Sequence, residues 1–357
     1  MTFRFLLSGH DTIECAYYLA PAENCSLDYE RLAVEKEIMR QSKSKKPSPI
    51  KIGTEEFMLA GHGTGSGYPH LIENEAFSIQ FGEFNKPSFF VTYRSIALWH
   101  SGAQALHERF MAWASSVGLR SYQSEKLSRV DFTFDYHLPV TDFDEDNFIS
   151  QATKDNQHRK HGKVQTFRFG EDQVVLRVYN KTDEISEKSG KTWFYELWGI
   201  EQDVWRVEWQ IRKAIMRFFG IRTFEDLKER QGDLLRYSTN EHTTLRIKTN
   251  DSNRSRFPLH PLWLDLQARV AQMEGLGVVR ELDVPALLDE RMMRISISLY
   301  GYMKRIAAIY SLQGATPAIS LKQARAHLTV RMEQIHDPLT WQTDVERRMT
   351  EMRLGEW

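Results

Sequence analysis

Apolar and polar residues alternate with a period of two through much of the first two thirds of the chain and recur with a helical period through the last third. This pattern predicts strands first and helices later. Residues 2 to 20 read as a strand or hairpin, and Leu27 to Gln41 has helical spacing that ends in the polar loop Ser42 to Ser48 with Pro47 and Pro49. Short strands are expected at about 56 to 60, 68 to 83 and 88 to 94, with Gly61, Gly63, Gly65 and Gly67 marking turns. That glycine run lacks the lysine and the serine or threonine of a phosphate-binding loop, so it is read as turn chemistry. Residues 102 to 118 form an amphipathic helical pattern. Thr223 and Asp226 make a capping box that opens a second helix, running through Leu227, Leu234 and Leu235 to Tyr237.

The polar stretch Asn250 to Arg256, followed by Pro258 and Pro261, predicts a boundary. Residues 1 to 255 are then one domain and 256 to 357 a mostly helical C-terminal region, in which Ile295, Leu299, Tyr302, Ile306 and Ile309 recur at helical spacing. The expected class is α+β, with a curved antiparallel sheet and flanking helices ahead of that region.

Three strand-like segments between these helices carry charge on one side. Arg129, Asp131, Thr133 and Asp135 alternate with Val130, Phe132 and Phe134, and Arg206, Glu208, Gln210 and Arg212 alternate with Val207, Trp209 and Ile211. The third segment, Arg177 to Glu184, places Arg177, Tyr179 and Lys181 together. A polar face on one antiparallel strand is ordinary solvation; three such strands close in sequence point to a site. Asp131, Glu184 and Glu208 offer the hard oxygen ligands that Mg2+ or Mn2+ takes, and Arg129, Arg206, Arg212 and Lys181 are suited to clamp a phosphate. Cations around Tyr179 favour a phenolate able to attack phosphorus. Tyr237 is a second nucleophile of the same kind.

Composition narrows the setting. The net charge of −1, from 47 Lys and Arg against 48 Asp and Glu, excludes coating nucleic acid by bulk charge but leaves room for a local groove. Lys160 and Lys163 lie in a basic cluster from His158 to Arg168 that reads as a solvated loop or as a phosphate cradle. Two cysteines, Cys15 and Cys25, make neither a disulfide framework nor a cysteine metal cage. No apolar run approaches the roughly 20 residues that span a bilayer, so no membrane is expected and the cytoplasm is the default.

The motifs Arg129-Val-Asp131-x-x-x-Asp135, Val178-Tyr-Asn-Lys-x-x-Glu184 and Arg206-Val-Glu208-x-x-x-Arg212, in this order and spacing, resemble the replication initiation factor family. That family comprises rolling-circle initiators of plasmids and phages and related nicking relaxases of integrative conjugative elements. The match covers about residues 50 to 255, and the stretch from Asp251 to Trp263 is similar to the phage and mobile-element branch. The resemblance implies an enzyme that binds origin DNA, single-stranded or cruciform, nicks one strand through a 5′-phosphotyrosyl bond with Mg2+ or Mn2+, and rejoins ends by the reverse transfer. Carried over, Asp131 and Glu208 become metal ligands, with Glu184 and Asp135 as further ligands or orienting groups. Tyr179 or Tyr237 is the nucleophile on this reading, assisted by Lys181 and Arg206, and Arg129, Arg177, Arg212, Lys160 and Lys163 face DNA. Host replication proteins such as a helicase, and a second copy of the chain, are expected partners. A conjugative relaxase with the same chemistry and a non-catalytic origin-binding protein are the alternatives. Trp193, Phe194 and Trp198 are placed to stack extruded bases or to fill the core.

Overall fold

Two long strands organise the fold of the computed structural model, which describes residues 3–41, 46–152, 154–160, 163–275, 284–314 and 317–353. The first is β1 (Arg4–Pro21), followed by α1 (Tyr29–Gln41), β2 (Ser48–Ile52), β3 (Glu55–Leu59), β4 (His70–Glu73), β5 (Phe77–Phe81), β6 (Phe89–Tyr93), α2 (Ser95–Ser101) and α3 (Ala103–Ser116). The second is β7 (Leu119–His137), followed by β8 (Phe148–Ser150), β9 (Asp155–Lys160), β10 (Lys163–Phe169), β11 (Val174–Asn180), α4 (Lys181–Glu184), α5 (Trp193–Trp198), β12 (Val204–Arg212), α6 (Lys213–Phe218), α7 (Phe224–Tyr237), β13 (Thr243–Leu245) and α8 (Pro261–Ala271).

Eleven of these strands form one antiparallel sheet in the order β2-β3-β4-β5-β6-β1-β7-β12-β11-β10-β9, and β8 pairs with β13 apart from it. Each half closes on its own long strand, since β6 returns to β1 and β12 returns to β7. The class is therefore α+β, as the alternation predicted.

One face of the sheet is the main core. Ile13, Cys15, Tyr17, Val130, Phe132, Phe134, Val207, Trp209 and Ile211 point into it and are buried. Helix α3 covers it through Phe110 on Tyr17 (4.4 Å between ring centres), α7 through Phe224 on Tyr93 (5.4 Å), and α8 through Trp263 on Trp209 (6.5 Å). Burying each such ring contributes roughly 2–3 kcal/mol, so these contacts fix which side of the sheet the helices take. The capping box at Thr223 and Asp226 opens α7 as expected.

Among the described residues of this part of the chain, the opposite face is covered at one end. There Trp99 of α2 and Phe194 and Trp198 of α5 pack over Leu7 and Val204. Strand β1 passes beneath Trp99 at Gly9, where an added Cβ would lie 2.9 Å from the indole ring. Phe194 and Trp198 are buried, so both fill this smaller core.

The chain divides into compact units Met1–Glu281 and Leu282–Trp357, so the first runs on past residue 255. The reason is α8, whose Leu262, Trp263, Leu266 and Val270 are buried. The second unit contains α9 (Val284–Gly314), α10 (Leu321–Ile335) and α11 (Pro338–Arg353), with Met303 and Ala324 buried and Tyr310 stacked on His327 at 3.9 Å. Met292, Ile295, Leu299, Tyr302 and Ile309 of α9 are exposed. Among the described residues, no helix is long and apolar enough to cross a membrane.

Candidate active site

Register assembles the polar side chains on the half-covered face. Glu208 of β12 stands opposite Thr133 of β7 and Arg177 of β11, while Gln210 stands opposite Asp131 and Arg206 opposite both Asp135 and Tyr179. Asp131 and Glu208 are thus diagonal neighbours across β7 and β12, within reach of each other's charge.

Tyr179 Oη donates a hydrogen bond to Glu208 Oε2 at 2.7 Å, and Arg177 Nη2 lies 2.7 Å from Glu208 Oε1. Arg129 forks onto Asp131, with Nε donating to Oδ1 at 2.8 Å, and reaches Glu14 Oε1 at 3.3 Å. The carboxylates lie deep, at 2% and 6% exposure, whereas Arg129 and Arg177 form the rim at 20% and 33%. Burial raises the Tyr179 phenol well above its ordinary value, Glu208 adds to this, and the Arg206 charge opposes both without prevailing. The expected phenolate is therefore corrected to a protonated phenol resting on a carboxylate.

Burial pushes Asp131 up to about 6, against the Arg129 fork and with a further push from Glu208. A raised acid favours its protonated form in the fold. Its contribution to stability is full below the unfolded value of 3.8 and is lost as pH rises through about 6. Asp131→Asn should remove that loss, which is on the order of 1–3 kcal/mol. The readout is the difference between wild-type and variant melting temperatures from pH 4 to 7. Taking the difference matters because His10, His70 and His242, each held down to about 4 by burial, titrate nearby with the opposite sign. Parallel curves for the two proteins would reject the assignment.

Beneath this layer lies a second, closed one. Arg206 is fully buried: Nε and Nη2 donate to Asp135 at 2.7 and 2.8 Å, and Nη1 donates to Asp11 at 2.8 Å. Trp198 Nε1 adds a hydrogen bond to Asp135 at 2.9 Å, Ser95 and Lys191 hold Asp11, and the Phe194 ring lies 4.5 Å from the guanidinium. Burial works against the Asp11 charge, and Arg206, Lys191 and Lys181 more than offset it, holding the carboxyl below the usual range. Arg206 and Asp135, expected as phosphate clamp and ligand, are occupied with each other and brace the site from below.

The chain is similar to a solved rolling circle replication initiator protein from Geobacillus stearothermophilus. The TM-score is 0.44 and the identity 16%, covering 78% of this chain and 100% of that one. No family model and no curated protein matches the chain.

The remaining expected residues fall elsewhere. Strand β11 stops at Asn180, whose Oδ1 accepts from the backbone of Asp183 at 3.1 Å and starts α4. Lys181 and Glu184 therefore leave the strand and pair with each other, and Glu184 also accepts from Ser189 at 3.1 Å. Lys181 is buried, with its ammonium 5.6 Å from the centre of the Tyr179 ring, and burial and Arg206 lower its pKa. Tyr237 ends α7, on the other side of the sheet: His10, packed on Phe132, meets Gln231 of that helix at 3.2 Å, and the Tyr237 ring lies against Phe219. It is not brought to Asp131 or Glu208. Arg212 stands opposite Arg129 at the rim. Lys160 and Lys163 pair through their backbones, and their side chains lie outside the described residues.

Asp11 and Glu14 were not expected at the site. Both acids lie in β1 among Ser8, His10 and Thr12, and nothing local marks either as part of a site. Among the described residues, no three His, Cys, Asp or Glu side chains are placed so that together they could hold a metal ion.

Proposed function

We propose that this protein cuts and rejoins one strand of origin DNA in rolling-circle replication, with Tyr179 as the nucleophile. The observation that carries the reading is the 2.7 Å hydrogen bond from Tyr179 Oη to Glu208, beside Asp131 and under a rim of two arginines. A phenol held in its protonated form needs a base in contact with it, and Glu208 fills that role. As the Oη–P bond forms and the bond from phosphorus to the 3′ oxygen breaks, Glu208 accepts the phenolic proton, and the departing 3′ oxygen takes up a proton from water at the open rim to become a hydroxyl. Arg177 and Arg129, exposed enough to turn outward, bind the phosphate oxygens. The 5′ phosphate stays on the protein until a 3′-hydroxyl reverses the transfer and the phenol recovers its proton.

Asp131 and Glu208 fit a divalent cation of the kind that keeps several waters and takes one or two carboxylates with substrate phosphates. Such an ion, Mg2+ or Mn2+, would supply charge stabilisation at the phosphate. Conjugative transfer uses the same cut, so the geometry supports the chemistry equally for either purpose.

The test is a supercoiled plasmid carrying the gene and its flanking DNA, incubated with the full chain and Mn2+ and resolved under denaturing conditions. Wild type and Tyr237→Phe should both give a nicked product and a covalent adduct, and Tyr179→Phe neither. An adduct in Tyr179→Phe, or none in wild type, would overturn the proposal.

A further inference from the structure

We infer that the open sheet face running from Arg129 to Tyr122 is a track for single-stranded DNA leading to the candidate site. The inference deepens the proposal above and rests on it for the class of ligand. Along β1, Ile13, Cys15, Tyr17 and Leu19 are buried while Glu14, Ala16 and Tyr18 take the other face, the one that carries Asp131 and Glu208. Glu14 stands opposite Arg129 and Ala16 opposite Lys126, and a register shift between Glu14 and Cys15 adds one residue to β7, which brings Lys126 up on the same side as Arg129.

Aromatic rings and cations then interleave. Lys126 Nζ lies 5.2 Å from the centre of the Tyr18 ring, and Tyr18 meets Tyr122 edge to face at 6.1 Å. Tyr122 is 55% exposed, and Phe90 of β6, opposite Ala16, is half-buried. Arg212 stands beside Arg129 and makes no ion pair among the described residues. From Tyr122 to Arg129 the strand covers roughly 20 Å.

Exposed rings on a strand, separated by cations, match a ligand with stacked faces and a negative backbone. An apolar partner would leave Lys126 and Arg212 without counter-charge, and duplex DNA hides its base faces. Unpaired DNA satisfies both, with bases on Tyr122 and Tyr18 and phosphates on the cations. The track is continuous with Asp131 and Glu208, so a strand lying on it delivers a phosphodiester to Tyr179.

The experiment is fluorescence anisotropy of a labelled oligo(dT) of about 20 nucleotides with the full chain in the absence of metal, at several salt concentrations. Tyr122→Ala should weaken binding by about 5- to 100-fold, as the loss of one stacked base does. Lys126→Gln should weaken it and flatten the salt dependence by about 0.7 in log–log slope. Affinities within twofold of wild type in both variants, or equally tight binding of a duplex of the same length, would overturn the track. The assay forms no adduct, so its outcome is separate from that of the nicking test. Variants that lose binding beside a wild type that never forms an adduct would keep the track and discard the nicking reading; the reverse pair would do the opposite.

Discussion

Glu208→Gln is expected to slow formation of the covalent protein–DNA adduct by about 10²- to 10⁴-fold while the fold stays intact. Glutamine keeps the shape of the side chain and can still accept the 2.7 Å hydrogen bond from Tyr179 Oη, but it cannot take the proton away. Burial, the largest cause of the raised phenol pKa, persists in the variant, so attack without a base starts from the wrong protonation state. The substitution removes the ion pair with Arg177, and it also removes a charge that raises Asp131, which offsets part of that loss. Single-turnover adduct formation on a denaturing gel reads the effect. A rate within tenfold of wild type would show that Glu208 is not the base.

The second large effect belongs to the layer below. Arg206→Met is expected to cost about 3–5 kcal/mol of stability, lowering the melting temperature by roughly 10 °C. The guanidinium is fully enclosed and bridges Asp11 of β1 and Asp135 of β7 from its own strand β12. Its removal leaves Asp135 buried without a cation and Asp11 with Lys191 alone, so Asp135 must be desolvated unpaired or take up a proton. Thermal melting of the full chain checks this, and a loss under about 1 kcal/mol would mean the cluster is dispensable. Because Asp135 lies four residues from Asp131 on β7 and Arg206 two from Glu208 on β12, the same brace holds the two site carboxylates in register. Adduct formation should therefore fall along with stability.

The alternating segments were legible because the period of two survives in β7 and β12: Val130, Phe132, Trp209 and Ile211 are buried opposite Asp131 and Glu208, as their sequence order requires. Local order could not tell which acids would meet. Asp135 and Asp131 look alike along β7, yet one is enclosed by Arg206 and Trp198 and the other is buried beneath Arg129, which reaches the surface. That difference comes from α5, which covers one end of the face and is distant in sequence from β7. Glu184 was misplaced for a local reason: Asn180 caps a helical turn, and Lys181 and Glu184, three residues apart, pair within it. Tyr237 was misplaced because a helical stripe such as Leu227, Leu234 and Leu235 shows that a helix packs, but not on which side of the sheet. The boundary near 255 was read from prolines, and Pro261 proved to be the first residue of α8, a position that suits proline.

Mass-spectrometric mapping of the protein–DNA adduct tests the central claim most directly. Wild-type protein is trapped on nicked DNA, digested with nuclease and protease, and searched for the peptide carrying the nucleotide. The account predicts a 5′-phosphate on Tyr179; a nucleotide on Tyr237, or on any residue of the helix-covered face, would contradict it.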